Sequence, residues 1–503
     1  MNGALMKASS RFAIAAALGL ALSAGSAAAA DLGGNCCADL EERVAELEAT
    51  TARKGNRKMS LTITGQVNRG VLWWNDGEDS DVYYGLDNTN SSTRFSFLGE
   101  AKISSRWKAG FEIMMEIEAG GTSSKVSQWD EDGKVGTQIN GAAAASFNAS
   151  NVDSYMGDAR RAAWWIEDKD LGRLTVGRYE SAGVVTTIDL GGISVVASGS
   201  VVLLNGSFAI RSSAGDYYAV TWGRLGDPAS NQGRTELIRY DSPSIHGFIA
   251  SASIGEAGDY WGAMLRYAGE FSGIRVAAGI GYENITDRPT SAACFTLDHP
   301  NSSAACALSS TGGNITQGPT DLTAVKPDID AWGASLALMH VPTGLFVQGH
   351  YMAADFKAST ALSGYWGHDF ATKTDADQWL IQAGIAKNWT GLGNTAIYGE
   401  YSKSNDWGAG LTTGRSYSNA TLTGTTTVNG VTDTELTVWG LGVVQNLDAA
   451  ATELYLGWRR FEADITCTGS LVAGSCTDPA GSGTTKLSTQ DADFVFGGAR
   501  VKF

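Results

Sequence analysis

The chain has 503 residues and is acidic, with 53 Asp and Glu against 37 Lys and Arg and a net charge of −16. This balance argues against nucleic acid as a partner, because phosphate binding needs clustered Lys and Arg. Glycine is abundant (63), proline is scarce (8), and the mean hydropathy of −0.10 is the value that strands with alternating apolar and polar residues produce by cancellation.

Residues 1–30 have the pattern of a secretory signal peptide. Lys7 and Arg11 precede an apolar run at 12–22, and a small-residue stretch ends at Ala30. A membrane-spanning helix is the alternative, but the apolar run is short for one. A lipid anchor on Cys36 is a lesser alternative. We expect the mature chain to start at Asp31, with a net charge of −18 once the two basic residues are removed.

The segment 31–58 differs in kind from the rest of the chain. Leu40, Val44 and Leu47 have the spacing of a coiled-coil seam among acidic residues, and the basic stretch 53–58 follows. Two heptads are too short to hold a coiled coil alone. The pattern therefore predicts a periplasmic helix that associates within a larger oligomer, or else an amphipathic helix lying on its own barrel.

From residue 59 to 503 the sequence predicts strands joined by alternately short and long connections. No later stretch could cross a bilayer as a helix, and only a closed barrel can otherwise satisfy its backbone in lipid. A soluble propeller or solenoid is the alternative, but no repeat of 20 to 50 residues occurs. Sixteen strands are predicted, an even number that returns both chain ends to the periplasm: 60–74, 93–103, 109–118, 159–167, 172–180, 234–241, 246–254, 259–268, 273–283, 330–340, 344–353, 377–387, 394–403, 435–446, 451–463 and 491–503.

The period-two alternation also assigns the two faces of each strand. In the second strand Phe95 and Phe97 face outward, whereas Arg94, Glu100 and Lys102 face inward. A barrel of sixteen strands encloses a water-filled interior. The fold class is therefore an all-β, 16-stranded antiparallel transmembrane barrel that serves as a conduit.

The last strand ends in Gly498-x-x-Val501-x-Phe503, with an apolar outward face up to its final residue. This ending resembles the terminal assembly signal of bacterial outer-membrane barrels. Together with the signal peptide, it predicts the outer membrane of a Gram-negative bacterium as the location.

One connection, 181–233, is too long and too apolar for a solvent-exposed loop. It could supply two extra strands and make an 18-stranded barrel. We favour a loop that folds into the lumen and narrows it.

Six cysteines fall into three close pairs. We predict loop disulfides between Cys294 and Cys306 and between Cys467 and Cys476, since an exported chain meets an oxidising compartment. Metal binding is the alternative, and the adjacent Cys36 and Cys37 are better suited to links between chains. We expect no cofactor, although calcium in the acidic loops is possible.

Several strand landmarks resemble those of the general diffusion porins. They are the segments 93–103, 174–179 and 238–243, and the stretches 36–48 and 61–68 are similar to the alphaproteobacterial branch. The resemblance implies a homotrimer whose third loop folds inside and faces a ladder of wall arginines. The sequence of this chain lacks one family landmark, the Pro-Glu-Phe-Gly-Gly run of the third loop.

The resemblance also supplies candidate constriction residues. Arg94, Arg178 and Arg239 match ladder positions, and Gln66 lies where some members carry a lysine. Asp189 is the candidate facing carboxylate, and Glu100 and Lys102 complete the inward-facing set. Each arginine could instead pair with a neighbouring acid merely to hold the loop.

The function expected is passive diffusion of small hydrophilic solutes and ions, with outer-membrane lipid and lipopolysaccharide around the barrel. A channel specific for a sugar or an anion is the main alternative, and an adhesive or structural barrel is the third. An enzyme is disfavoured, because a hydrolase needs a nucleophile and a base and none of the five His residues lies in a sequence motif of that kind.

Overall fold

The fold is taken from a computed structural model of the chain. It describes residues 59–117, 121–124, 126–128, 159–215, 217–226, 233–255, 258, 260–286, 307–308, 315–316, 328–356, 375–408, 431–468, 470–472, 475–477 and 484–503. The predicted signal peptide, the helix carrying Leu40, Val44 and Leu47, and Cys294 and Cys306 lie outside these residues. The structure likewise describes no side-chain packing for Cys467 and Cys476.

Sixteen antiparallel strands form the wall. In chain order they are β1 Ser60–Asn75, β2 Arg94–Lys102, β3 Trp107–Glu116, β4 Ala159–Asp168, β5 Gly172–Glu180, β6 Arg234–Asp241, β7 Phe248–Gly255, β8 Tyr260–Phe271, β9 Ile274–Thr286, β10 Asp328–His340, β11 Leu345–Phe356, β12 Asp375–Lys387, β13 Thr395–Asn405, β14 Val431–Leu447, β15 Thr452–Thr468 and β16 Ala492–Lys502.

The sheet closes on itself, because β1 pairs with β2 on one side and with β16 on the other. Each remaining strand pairs with its neighbours in the sequence. Two further strands, Ser80–Asp87 and Thr484–Leu487, extend the wall beside β1 and β15. The predicted closed barrel of sixteen strands is confirmed. The insert 181–233 adds no wall strand among the described residues, so the 18-stranded alternative is wrong.

Short turns lie at one end of the barrel. The turn between β2 and β3 is held by Arg106, whose Nε and Nη2 donate to Asp168 at 3.2 and 2.8 Å. This hydrogen bond raises the pKa of Arg106. The connections at the other end are mostly long, but that between β7 and β8 is only 256–259.

The chain end is built into the closure. Gly65 and Phe503 exchange backbone hydrogen bonds of 2.9 and 3.1 Å. The Phe503 ring lies so close to Gly65 that a Cβ there would be 2.4 Å from the ring. Val501 and Phe503 are exposed on the outer face, where the alternation placed them.

The outer face carries one aromatic side chain on each strand from β8 to β15. The rings contact in four pairs on neighbouring strands, at centroid distances of 4.9 to 5.3 Å, as in a membrane-interface belt. These residues are Trp261, Tyr282, Trp332, Tyr351, Trp379, Tyr401, Trp439 and Trp458. Trp74 and Trp165, by contrast, are buried on the inner face. Among the described residues, no helix has the length and apolar character to cross a bilayer.

The insert after β5 packs against the inner face of the wall. Its residues 181–226 include a small hairpin, Ala209–Arg211 with Tyr217–Thr221, and the short helix α1 Trp222–Gly226. Phe208 is fully buried and its ring lies 5.5 Å from Trp74 and 5.0 Å from Phe494. Since Trp74 and Phe494 are on the buried face of β1 and β16, this part of the insert lies within the barrel.

Candidate functional site

The inner wall of β2 to β8 carries a cluster of arginines on alternate strands. Arg94 lies on β2, Arg160 and Arg161 on β4, Arg234 and Arg239 on β6, and Arg266 on β8. We call these six residues the arginine cluster.

Carboxylates from β3 and β5 lie between these arginines. Glu116 on β3 is opposite Arg94 in the register and forms an ion pair with Arg160. Arg161 bridges two strands, because its Nη1 donates to Glu112 at 2.9 Å and its Nε donates to Glu180 at 2.7 Å. Two groups of charged side chains thus lie side by side on β3 to β5, Glu116 with Arg160 and Glu112 and Glu180 with Arg161.

Arg160 and Arg161 both point into these two groups although they are adjacent in sequence. Period-two alternation alone would send them to opposite faces. The register between β3 and β4 shifts between Met114 and Met115, a bulge that adds one residue to the β3–β4 pairing. The bulge therefore explains why two consecutive arginines reach the lumen.

Arg239 has a structural partner as well as a place in the cluster. It donates to Asp241 through Nη2 at 2.7 Å and Nε at 3.0 Å, and Arg266 donates to the same carboxylate at 3.1 Å. Its Nη1 donates to the backbone oxygens of Glu180 and Ser181 at 3.1 and 3.3 Å, so it holds the first residues of the insert.

The structure does not bring every sequence-predicted site residue together. The register aligns Arg178 with Ala162 and the exposed Glu236, and its Nε donates to the backbone oxygen of Ala159 at 2.9 Å. At this level the row faces outward, since Ala162 and Glu236 are exposed, whereas two residues further along, at the end of β5, Glu180 turns inward and pairs with Arg161. The placement of Arg178 in the lumen cluster was therefore wrong. The positive φ of Gly177, +122°, marks the irregular backbone beside it.

Three other candidates on β1 and β2 have separate roles. Gln66 is buried and its Nε2 donates to the backbone oxygens of Ser91 and Ser92 at 2.8 and 2.7 Å, so it holds the connection leading into β2. Glu100 forms an ion pair with Lys108 at 2.8 Å beside the β2–β3 turn. Lys102 is exposed at the same turn, about 25 Å from Arg94 along an extended strand.

Asp189 lies on the insert and is partly exposed. Its carboxylate accepts the backbone N–H groups of Gly192 and Ser194, both at 2.8 Å, and the Nε2 of Gln348 at 3.1 Å. Gln348 is on β11, eight strands from β3 in a ring of sixteen. Asp189 is therefore anchored on the wall opposite Glu112 and Glu116.

Wall side chains hold the insert by its backbone. Ser253 accepts from Ala182 N, Ser335 accepts from Ile188 N, and Gln348 accepts from Leu190 N, at 2.8 to 3.0 Å. Gln382 donates to Ala197 O, Arg459 to Val201 O and Asn88 to Val195 O, at 2.8 to 3.2 Å. These anchors come from β7, β10, β11, β12, β15 and the β1–β2 connection, so the insert is tied to most of the circumference.

One of these anchors, Arg459, also forms a buried ion pair with Glu400. Arg459 Nε donates to Glu400 at 2.6 Å and Nη2 donates to its second oxygen at 3.1 Å, a bidentate contact between side chains that are 5% and 1% exposed. The third guanidinium nitrogen is the donor to Val201.

A second ion-pair group ties the insert to the first long connection. Arg211 of the insert is buried and contacts Asp76 at 3.0 Å, Asp79 at 2.5 Å and Glu78 at 3.6 Å. Calcium in the acidic loops stays a prediction, but these three carboxylates already surround a guanidinium.

These features define a class of protein before any comparison: a transmembrane β-barrel whose lumen is lined by charged side chains and partly filled by an internal segment. The chain belongs to the Gram-negative porin family, whose sequence profile matches residues 13–466. It is therefore an outer-membrane channel protein. No protein with a curated description matches it.

Solved structures with a similar fold are remote in sequence. The anion-selective porin from Comamonas acidovorans has a TM-score of 0.47 and 15% identity, over 88% of this chain and 100% of that one. OmpT of Vibrio cholerae has a TM-score of 0.44 and 13% identity, over 90% and 99%. OmpF of Salmonella typhi, in complex with daunomycin, has a TM-score of 0.42 and 11% identity, over 89% and 98%.

Proposed function

We propose that this porin forms a water-filled channel for passive diffusion of small hydrophilic solutes and ions, narrowed by the insert 181–233. One observation supports the proposal. The insert is anchored on β10 to β12 and also contacts the β1–β2 connection, contacts that fit a segment crossing the lumen.

The chemistry of such a constriction favours polar solutes. Arginine stays charged at any relevant pH, so water and polar solutes in the narrow part lie in a permanent field. An apolar solute would displace ordered water from the narrow part without making a polar contact in return. The pore then selects by size and polarity, and charged rings bias ions by sign.

Planar-bilayer recording of the purified full chain tests the channel. We expect stable, ohmic steps in KCl that remain when sugars are added at millimolar concentration. Saturable block by one sugar would replace general diffusion with a substrate-specific channel. A chain that inserts and gives no conductance would contradict both.

Three further properties belong to the proposal. The chain is exported through a signal peptide at 1–30 and assembles as a homotrimer, with the segment 31–58 on the periplasmic side. Lipid and lipopolysaccharide contact the outer face, where the aromatic belt of β8 to β15 would lie at the membrane interface.

A further inference from the structure

The first residues of the insert lie directly on the inner face of the wall. Ala182 N donates to Ser253 Oγ of β7 at 2.8 Å, and Ile188 N donates to Ser335 Oγ of β10 at 3.0 Å. Between these two anchors the segment 182–185 is buried. The insert therefore passes over β8, β9 and β10 in close contact with them.

Four glycines on the inner face of β8 to β10 make this close approach possible. They are Gly262 of β8, Gly279 and Gly281 of β9 and Gly333 of β10, and we call them the glycine groove. Their sequence neighbours Ile280 and Trp332 are exposed on the outer face. Gly281 and Gly333 are opposite each other in the register of β9 and β10. Layers with side chains between them pack about 10 Å apart, whereas glycine lets one backbone touch another.

Backbone atoms of the insert fill one end of the groove. A Cβ on Gly281 would lie 2.0 Å from the backbone oxygen of Gly183, and one on Gly262 would lie 2.6 Å from that of Ala182. The contact is mutual, since a Cβ on Gly183 would overlap the carboxylate of Glu283 on β9. Glycine is thus needed on both sides of this contact.

Val184 and Val185 fill the other end of the groove. A Cβ on Gly333 would lie 2.7 Å from Val184 Cγ1, and one on Gly279 would lie 2.9 Å from Val185 Cγ1. The next atoms around a Cβ on Gly279 would be at 3.5 Å, an ordinary contact. Gly279 therefore faces a single side chain, whereas Gly281 faces backbone.

The depth of the groove sets how far the insert stands out from the wall. Thr186 and Asp189 follow the groove in sequence and are partly exposed. β9 is hydrogen-bonded to β8 and β10 along its length, whereas the segment 182–188 is attached to wall side chains by single hydrogen bonds. A larger residue in the groove would therefore move the insert rather than the wall, and would move it towards the lumen.

We propose that the glycine groove sets the size limit of the pore, because it seats the start of the insert on the wall and leaves the remaining cross-section to solutes. This rests on the proposed function, since it requires that solutes pass beside the insert. The solutes concerned are neutral and hydrophilic, such as sugars, and the groove would sort them by size. An alanine at Gly281 would displace the insert by about 1.5 Å before an ordinary contact distance is reached.

Planar-bilayer recording and liposome swelling with the purified full chain test the groove. Gly281→Ala should lower the single-channel conductance in KCl. In a series of mono-, di- and trisaccharides it should shift the cut-off to a smaller sugar. Gly279→Ala should have the same effects to a smaller extent, because the side chain of Val185 can give way.

Two further variants separate positioning from folding. Gly279→Ala combined with Val185→Ala removes the methyl group that the new Cβ would meet, so this double variant should return to the wild-type cut-off. Gly399→Ala adds the same methyl at an exposed position of β13, where Gly440 O, at 3.8 Å, is the nearest atom beyond its chain neighbours. It should conduct like the wild type. The folded band in gel electrophoresis reports the assembly of each variant.

The outcomes that overturn the groove differ from those that overturn the channel. An unchanged or larger cut-off in Gly281→Ala would refute the groove and leave the proposed channel intact. If Gly281→Ala does not assemble, the same result in Gly279→Ala refutes it. A double variant that keeps the smaller cut-off of Gly279→Ala would also refute it, because the contact with Val185 would then not be the cause. A wild-type chain without conductance would refute the channel itself.

Discussion

At the scale of single residues, the lumen contains two kinds of arginine. Arg459 and Arg239 use their donors on carboxylates and on the backbone of the insert. Arg94 and Arg234 have no such partners among the described residues. The sequence alone does not distinguish these two kinds of arginine, because both occupy inward-facing positions of a strand. The first kind positions the insert, whereas the second kind makes no hydrogen bond to it within the described residues.

Arg459→Met should loosen the insert. The substitution leaves Glu400 buried without its cation, which costs about 3–5 kcal/mol, and removes the donor to Val201. We expect noisier and larger single-channel currents and a lower temperature for loss of the folded band in gel electrophoresis. The double variant Arg459→Met/Glu400→Gln should recover part of that temperature, because no unpaired charge remains. If the single and the double variant lose the folded band at the same temperature, the unpaired charge of Glu400 is not what destabilises Arg459→Met.

At the scale of elements, the insert has an apolar side and a polar side. Buried residues such as Val195, Val201 and Phe208 pack against the inner face of the wall, while Ser, Thr and Gly residues are partly exposed. This arrangement explains how so apolar a connection can sit in a water-filled barrel. The insert hides its apolar side against wall residues that are themselves apolar, including Leu72, Trp74 and Phe496.

Phe208→Ala should destabilise the insert without breaking the barrel. Removing a fully buried aromatic ring costs about 3–5 kcal/mol, since it leaves a cavity, here between Trp74 and Phe494. Single-channel recording should show larger or fluctuating conductance. Phe271→Ala, at an exposed position outside the lumen, is the matched control and should conduct like the wild type. Unaltered currents in Phe208→Ala would mean that other contacts alone hold the insert.

The terminal strand closes the barrel through backbone bonds and one ring contact. Gly65→Ala should hinder closure, because a Cβ would be 2.4 Å from the Phe503 ring and 2.8 Å from the Arg94 backbone oxygen. We expect a smaller fraction of heat-modifiable, folded protein in outer membranes, which gel mobility measures. Gly65→Ala combined with Phe503→Ala should relieve the ring clash and separate it from the backbone clash. Normal assembly of Gly65→Ala would show that the strands can shift apart at low cost.

At the scale of the whole molecule, the expected homotrimer is the next property to measure. Replacing Leu40, Val44 and Leu47 with Gln removes the apolar seam of the predicted helix. The wild-type chain in detergent should have the mass of three protomers by light scattering. The triple variant should dissociate at a lower temperature, because only barrel contacts would remain. A variant as stable as the wild type would favour a helix lying on its own barrel.

The sequence by itself determined the closed barrel, its sixteen strands and the inward or outward direction of most side chains. These follow from period-two alternation and turn lengths, which are local properties of the chain. Strand boundaries predicted this way agree with the structure to within a few residues over most of the wall. Glu100 and Lys102 also fall on the inward-facing row that the alternation assigned to the second strand.

Only the tertiary structure decided which charged residues meet. Arg178 was misplaced, and Arg160, Arg161, Arg234 and Arg266 were missed. The bulge beside Met114 brings Arg160 inward against the simple alternation. Arg266 follows the alternation of β8, but only the closed sheet brings it to Asp241. The anchors of the insert join residues far apart in sequence, such as Leu190 and Gln348, 158 positions apart. Such contacts depend on how the closed sheet brings opposite walls around one lumen, and no local pattern encodes that geometry.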